Sequence, residues 1–385
     1  MSYHSNIFSQ VLQHLSKLEF QKVVQKYRGD YRIRILDCWT WFGALLFGQL
    51  TGHNSIRAIS RSFQVYRNGL KTLGFKSVRR STLAEANERR SLSILEEVFF
   101  SLLAKAQKIS PKSKFRIKGQ ILAMDSTTIS VCLSLCPWAR FYHDKGAFKL
   151  HTAIDIAGDL PQFAVITPGR VHDITVAKSR EFPIGTTLIV DKGYIDYAFL
   201  WRLTSQGIWF VIRMKDNCRH KVRECRKTNR TQGIICDQTI RLSTYRGRNY
   251  PGYLRKVSYK DLQTGKRYTF ISNRFDLSPQ TVADLYKARW QVELFFKTLK
   301  NQLRIKKLIG TTIHSVKAQI WVALIAYLLI MLIRFQNKLN WSIPETMAVI
   351  GIMIFARQSL AILLEDAPTH RLVKPPLEQL SLFQF

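Results

Sequence analysis

The sequence predicts a mixed α/β core set between two helical regions. Three observations carry that expectation. Residues 1 to about 115 repeat apolar side chains at helical spacing. From Phe115 the pattern changes to short apolar runs in the order strand, strand, strand, helix, strand, helix, strand. Ser278 and Pro279 then open a helix that runs past Lys300 with no internal Gly or Pro. At 385 residues and 46% hydrophobic content the chain can bury substantial cores, as one large domain or two to three smaller ones.

In the first region, Phe8, Val11, Leu12 and Leu15 share a helical face, as do Val23, Val24 and Tyr27, and Trp39 to Leu50 reads as a mostly apolar helix. Gly52, His53 and Asn54 interrupt it, and Ser55 caps a helix carrying Arg57, Ile59, Arg61 and Phe63. Thr82 and Glu85 have the spacing of a capping box just after Arg79 and Arg80. A helix start at Arg79, Arg80 and Ser81 offers amide donors and cations together, which suits a DNA phosphate; the alternative is a solvated helix face.

In the core, Ile117 to Met124 is an apolar run that ends at Asp125, which predicts a carboxylate held at a strand end. Gly146 to Ile156 alternates as a second strand and Pro161 to Thr167 makes a third. His172 and Asp173 open a helix to about Phe182, where Asp173 either caps the helix or supports nearby groups. Thr187 to Val190 is a fourth strand ending at Asp191, Asp196 to Gln206 a helix, and Ile208 to Met214 a fifth strand. This order resembles an RNase H-like fold, which implies metal-binding carboxylates on the first strand and just after the fourth, where Asp125 and Asp191 stand.

About sixty residues rich in Arg and Lys follow, with Gly252 to Tyr259 and Lys266 to Ser272 as strands. Their cations, Arg246, Arg248, Arg255, Lys256, Lys260, Lys266 and Arg267, interleave with Tyr245, Tyr250, Tyr253 and Tyr259 and suit contact with distorted DNA. On the helix after Ser278, Tyr286, Arg289, Glu293 and Lys300 fall at roughly 0°, 300°, 340° and 320°, within one narrow stripe. Trp290 sits one residue off that stripe, placed either to pack in the core or to stack on a displaced base.

A formal net charge of +33 points to a polyanionic partner, with nucleic acid as the default, and argues against a small-molecule enzyme. Six sparse cysteines fit a reduced cytosolic setting. Cys132, Cys136 and His143, or Cys218, His220 and Cys225, lack paired C-x-x-C spacing, so ordinary thiols are expected over zinc. The apolar run Ile320 to Ile333 is shorter than the roughly 20 residues of a membrane span, so a core helix and no membrane are expected, with Met347 to Ala356 as a second C-terminal helix.

The spacing Tyr286, Arg289, Glu293, Lys300 resembles the YREK signature of the IS4 family of bacterial insertion-sequence transposases, in which the Glu completes a DDE metal site. Asp191-Lys-Gly-Tyr194 is similar to the family's pattern at its second aspartate, and Gln49 to Gly52, Ser55 to Arg57 and Arg80 to Leu83 resemble pieces of its N-terminal domain. The resemblance implies that Asp125, Asp191 and Glu293 are catalytic and hold two Mg²⁺, with Mn²⁺ as a substitute, since hard ions take oxygen ligands. It also implies that Tyr286, Arg289 and Lys300 grip DNA. The expected organisation is a helical DNA-binding region at 1–115, core at 116–215, a β-rich basic insertion at 216–274, the Glu-bearing helix at 275–312 and a C-terminal helical region at 313–385. Binding of double-stranded terminal repeats, cut-and-paste excision through hairpin ends, a homodimer cutting in trans, and work in the bacterial cytoplasm at the nucleoid belong to the same implication. The competing classes are another RNase H-like nuclease, such as a resolvase, and a catalytically silent basic DNA-binding protein.

Overall fold

A computed structural model describes residues 5–142, 145–339 and 341–365. Seven helices come first: α1 (Ile7–Leu12), α2 (Lys17–Lys26), α3 (Cys38–Leu50), α4 (Ile56–Val65), α5 (Arg67–Lys71), α6 (Arg80–Arg89) and α7 (Leu92–Ile109). Ser16 and Glu19 form a capping box on α2, Asp37 caps α3 and Ser55 caps α4, so side chains meet the orphan amides at these starts. The box expected from Thr82 and Glu85 does not form. The α6 helix starts at Arg80, the Thr82 hydroxyl donates back to the Arg79 carbonyl, and Glu85 pairs with Arg89. Thr82 lies inside the first turn, where its hydroxyl prefers the carbonyl three residues back.

The core strands are β1 (Ile121–Val131), β2 (Arg140–Tyr142), β3 (Lys145–Asp155), β4 (Leu160–Pro161), β5 (Val165–Pro168), β6 (Thr187–Val190) and β7 (Trp209–Arg213), with α8 (Asp173–Lys178) and α9 (Tyr197–Ser205) between the later ones. The third strand of the sequence reading is split into β4 and β5, both on β3. From β5 through β3, β1 and β6 to β7, antiparallel pairs give way to parallel ones at β1 and β6. This is the sheet of an RNase H-like core. Four more strands, β8 (His220–Arg226), β9 (Ile234–Leu242), β10 (Leu254–Lys260) and β11 (Arg267–Ser272), extend it edge to edge through the β7 and β11 pairing. The basic insertion is therefore a continuation of the core sheet. Within it, Tyr250, Arg255 and Tyr259 point inward and are buried, contrary to the DNA-facing role their composition suggested, while Arg246, Arg248, Lys260, Lys266 and Arg267 stay exposed.

Alternation along β1 sorts side chains between two cores. Ile121 and Ala123 face the large cluster that includes the N- and C-terminal helices, and Leu122 and Met124 face the smaller one under α9. Helix α12 (Ile313–Gln336) packs on α3, α6 and α7, and its Tyr327 hydroxyl donates to the Asp159 carbonyl at 2.8 Å in the core. It is longer than the apolar run suggested. By length and composition it could cross a membrane, yet 94% of its most apolar window is buried in this fold, so its apolarity serves the core. Helices α13 (Ile343–Ile352) and α14 (Leu360–Glu365) follow. Residues 366–385 of the expected C-terminal region, and His143 of the considered cysteine group, lie outside the described residues.

Candidate active site

The register of the sheet brings Asp125 level with Asp191. Parallel β1 and β6 pair Ala123 with Ile189, so two residues further along each strand stand Asp125 and Asp191. Ala123 and Ile189 both face the large core, and the alternation carries both aspartates to that same face. Asp125 is not at a strand end, as the sequence suggested. β1 runs on to Val131 because β3 pairs with it throughout, while β6 has already stopped. The carboxylate thus sits on a backbone held from one side and open on the other.

Two helices cover that face, α10 (Pro279–Ala288) against the β7, β9 and β10 strands and α11 (Trp290–Asn301) against β1 and β3. The sequence reading took them as one helix. They bend at Arg289, whose amide donates to the Tyr286 and Lys287 carbonyls in a tightened turn. Arg289 is therefore presented at the bend. Its Nη1 donates to Asp125 Oδ2 at 3.0 Å and its Nη2 to Glu293 Oε1, while the Tyr286 hydroxyl donates to Asp191 Oδ1 at 3.4 Å. The Tyr286 ring packs on Phe270 with centroids 4.6 Å apart and carries the Arg289 guanidinium 5.6 Å above it. Five of the residues singled out in the sequence, from three distant segments, meet here.

A family model described as a transposase DDE domain matches residues 116–329, more than half of the chain. The chain belongs to the DDE transposase family. Residues 3–76 match a second model, described as a domain of unknown function, DUF4372. A Sinorhizobium fredii protein described as a transposase is 28% identical over 292 residues, 75% of this chain and 81% of its own. A Geobacillus stearothermophilus protein, described as the transposase for insertion sequence element IS5377, is 29% identical over 74% of this chain and 76% of its own. Synechocystis has one described for element IS4SA, 25% identical over 66% of this chain and 71% of its own. Among solved structures, a piggyBac transposase synaptic complex with hairpin DNA aligns over 94% of this chain and 81% of that one, at 14% identity and a TM-score of 0.44.

DDE domains as a class work with divalent metal ions. In this transposase the donor chemistry suits such an ion, since Asp125, Asp191 and Glu293 offer hard carboxylate oxygens. Their arrangement is closed, however: the Arg289 guanidinium stands between Asp125 and Glu293, and among the described residues no three ligating side chains converge on one point. Arg289 offsets part of the negative charge of the two carboxylates it joins.

Around the aspartates lies a shell that motif reading largely missed. Asp173, first residue of α8, does not cap it; Asp173 Oδ1 accepts from Ser126 Oγ at 2.8 Å and from Lys149 Nζ at 3.0 Å. The buried His151 stands 3.7 Å from the same oxygen and is pushed down to about 4, chiefly by burial, so it is neutral at pH 7. The Tyr194 hydroxyl is buried near Asp125, Asp173 and Asp191 with no hydrogen-bond partner among the described residues, and burial raises its pKa. Alternation along β1 and β3 was the one signal available, since Thr128 pairs with Lys149 and Ser126 with His151. Lys300 does not join the cluster. It is half-buried, has no ion-pair partner among the described residues, and is lowered by burial and then by Lys306. Trp290 is 38% exposed and lines a cleft with Tyr259, Tyr268, Phe270 and Tyr286 beside Arg289. Arg79, Arg80 and Ser81 are exposed at the start of α6, outside this contact network.

Asp125 is pushed up to about 6, first by burial, with Asp191 and Glu293 adding repulsion and Arg289 and the Ser126 amide opposing. Its folded value lies above the ordinary 3.8, so the native state holds the extra proton between those values. The sign follows: this group's contribution to stability is full below the unfolded pKa and is lost as pH rises through the folded one. In EDTA, wild type should lose stability relative to Asp125→Asn between about pH 4 and 6, by roughly 2 kcal/mol. Denaturant melts across that range check it, and a pH-independent difference would mean that Asp125 is not in the buried, acidic setting described.

Proposed function

We propose that this chain is an insertion-sequence transposase of the IS4 type, which binds double-stranded terminal repeats of its element and cleaves and rejoins them at Asp125, Asp191 and Glu293. The observation that carries the reading is Arg289 bonded to both Asp125 and Glu293, with Tyr286 on Asp191. Asp125, Asp191 and Glu293 would together hold the divalent ions, Mg²⁺ by preference with Mn²⁺ as substitute. When bound, such a pair supplies charge neutralisation and an activated nucleophile.

The chain's own groups do the rest. Arg289 is released from its carboxylates to a DNA phosphate, for which its fork of donors is equally suited. Tyr286 likewise turns its hydroxyl from Asp191 toward the same backbone. The aromatic cleft at Trp290, with a volume of about 260 Å³, receives a base displaced near the cleaved end. No protein nucleophile is needed, since water attacks first and the freed 3′-OH attacks next. Residues 1–115, with Arg79, Arg80 and Ser81, take the ends, the exposed cations of 216–274 take flanking DNA, and the helices of 313–365 brace the core. Hairpin ends, a homodimer cutting in trans and work at the bacterial nucleoid complete the reading.

Incubation with DNA carrying the element's own ends and Mg²⁺ tests it. End-specific cuts followed by strand-transfer products are expected. Cleavage of branched DNA regardless of end sequence would make the protein a resolvase-like nuclease, and binding without cleavage a silent DNA-binding protein. Lys300→Ala should weaken end binding and lower the slope of log affinity against log salt by about 0.9, the mark of one lost phosphate contact. An unchanged slope removes Lys300 from the DNA-binding set.

A further inference from the structure

A second cleft, of about 480 Å³, opens where the starts of α4, α6 and α12 approach one another. Arg57 and Arg80 line it as exposed cations, and α6 begins without a side-chain cap, so first-turn amides of that helix lack a side-chain partner. Asn87 forms part of the lining too. It is 0% exposed, and among the described residues neither its Oδ1 nor its Nδ2 has a hydrogen-bond partner. Gly310 packs beside it, where a Cβ would come within 3.4 Å of Asn87 Nδ2 and 2.4 Å of Ser315 Oγ, so a side chain there would crowd the amide and the Ser315 hydroxyl.

A buried amide unpaired at both ends is unusual in a folded protein and points to a missing ligand. A phosphate alone does not fit, because it would satisfy the amide N–H and leave Oδ1 bare, and Glu88 on the same lining repels a further anion. The edge of a nucleobase presents a donor beside an acceptor, which meets both ends of the amide, and an exocyclic amine suits Glu88. At about 480 Å³ the cleft has room for one nucleotide and not for a base pair with both of its backbones. We infer that the cleft is a second nucleotide-binding site, holding one unpaired nucleotide of DNA with its phosphate between Arg57 and Arg80 and its base edge on Asn87.

This inference rests on the reading above only for DNA as the polyanion. Fluorescence anisotropy of the full chain in EDTA, with a labelled oligodeoxyadenylate and an all-abasic strand of equal length, tests it. The double variant Arg57→Ala, Arg80→Ala should bind both strands about five- to tenfold more weakly, with a salt slope smaller by about 0.7. Asn87→Ala should bring the affinity for oligodeoxyadenylate about threefold closer to that for the abasic strand, with slope and melting temperature unchanged. A strand carrying 5-iodouracil should photo-crosslink to residues 80–89 or 309–315. The proposal is overturned by an unchanged slope in the arginine variant, an unchanged base-to-abasic ratio in Asn87→Ala, or crosslinks confined to other segments. Should Asn87→Ala melt lower, the arginine pair and the crosslinks decide. Cleavage of the element's own ends is scored separately in Mg²⁺, so failed cleavage and a failed second site are separate results.

Discussion

Alanine at Asp125, Asp191 or Glu293 should lower end cleavage by roughly a thousandfold or more, with end binding within about threefold of wild type. Each carboxylate is presented by a different element, β1, the end of β6 and α11, and none substitutes for another in position. Losing one leaves two donors, too few to hold a pair of hard divalent ions at the scissile phosphate. Arg289, Tyr286 and the exposed cations of the insertion remain, so affinity for the DNA backbone persists. The three variants also separate by their secondary effects. Asp191→Ala frees the Tyr286 hydroxyl, whereas Asp125→Ala and Glu293→Ala each leave Arg289 with a single carboxylate. Gel-resolved single-turnover cleavage with parallel binding titrations measures both quantities. Any variant that still cuts at the wild-type rate excludes its residue, and three active variants would place the chemistry elsewhere.

Arg255→Ala should destabilise the fold by about 3–5 kcal/mol, since it leaves the buried Asp237 carboxylate with only the longer 3.3 Å contact to the partly exposed Arg226. Arg255 and Asp237 are each 3% exposed and paired through two bonds, Nε to Oδ1 at 2.8 Å and Nη2 to Oδ2 at 2.7 Å. The remaining Nη1 donates to the Leu277 carbonyl, in the loop that leads to Ser278, the cap of α10. One guanidinium therefore ties β9 and β10 to the entry of the helix pair that carries Arg289 and Glu293. Removing Asp237 as well should recover most of the loss, because an apolar pair of similar volume replaces a buried ion pair at little net cost. Urea unfolding of Arg255→Ala and of Arg255→Met with Asp237→Leu gives the comparison. A loss below about 1 kcal/mol in the single variant would mean that the pair is hydrated and not the clamp described.

Some of the site was legible from spacing because local chemistry dictates it. Ser278 and Pro279 set a helix start, four residues separate Arg289 from Glu293 on one face, and a strand ends where Asp191 begins. Other features were hidden in the sequence for identifiable reasons. β8 is an edge strand whose side chains are largely exposed, so it shows no apolar alternation, and the strand was not foreseen. Arg255 looks like its exposed neighbours in composition, and only the position of Asp237 across the sheet turns it inward. The bend at Arg289 needs neither Gly nor Pro; it follows where α10 docks on one set of strands and α11 on another.

By itself, the sequence determined most of the elements and their order, since apolar period, caps and turns act within a few residues and their energies do not wait for distant partners. Tertiary structure alone decided which charges meet. Asp125 reaches Asp191 through the register of β1 on β6, and Glu293 reaches Asp125 through the seating of α11 on β1. Electrostatic pairing depends on separation and burial, neither of which is encoded by a residue's own neighbourhood in the chain. Asp125 shows the division, since its type was plain in the sequence, but the raised pKa and the bond to Arg289 arose only when three segments closed around it.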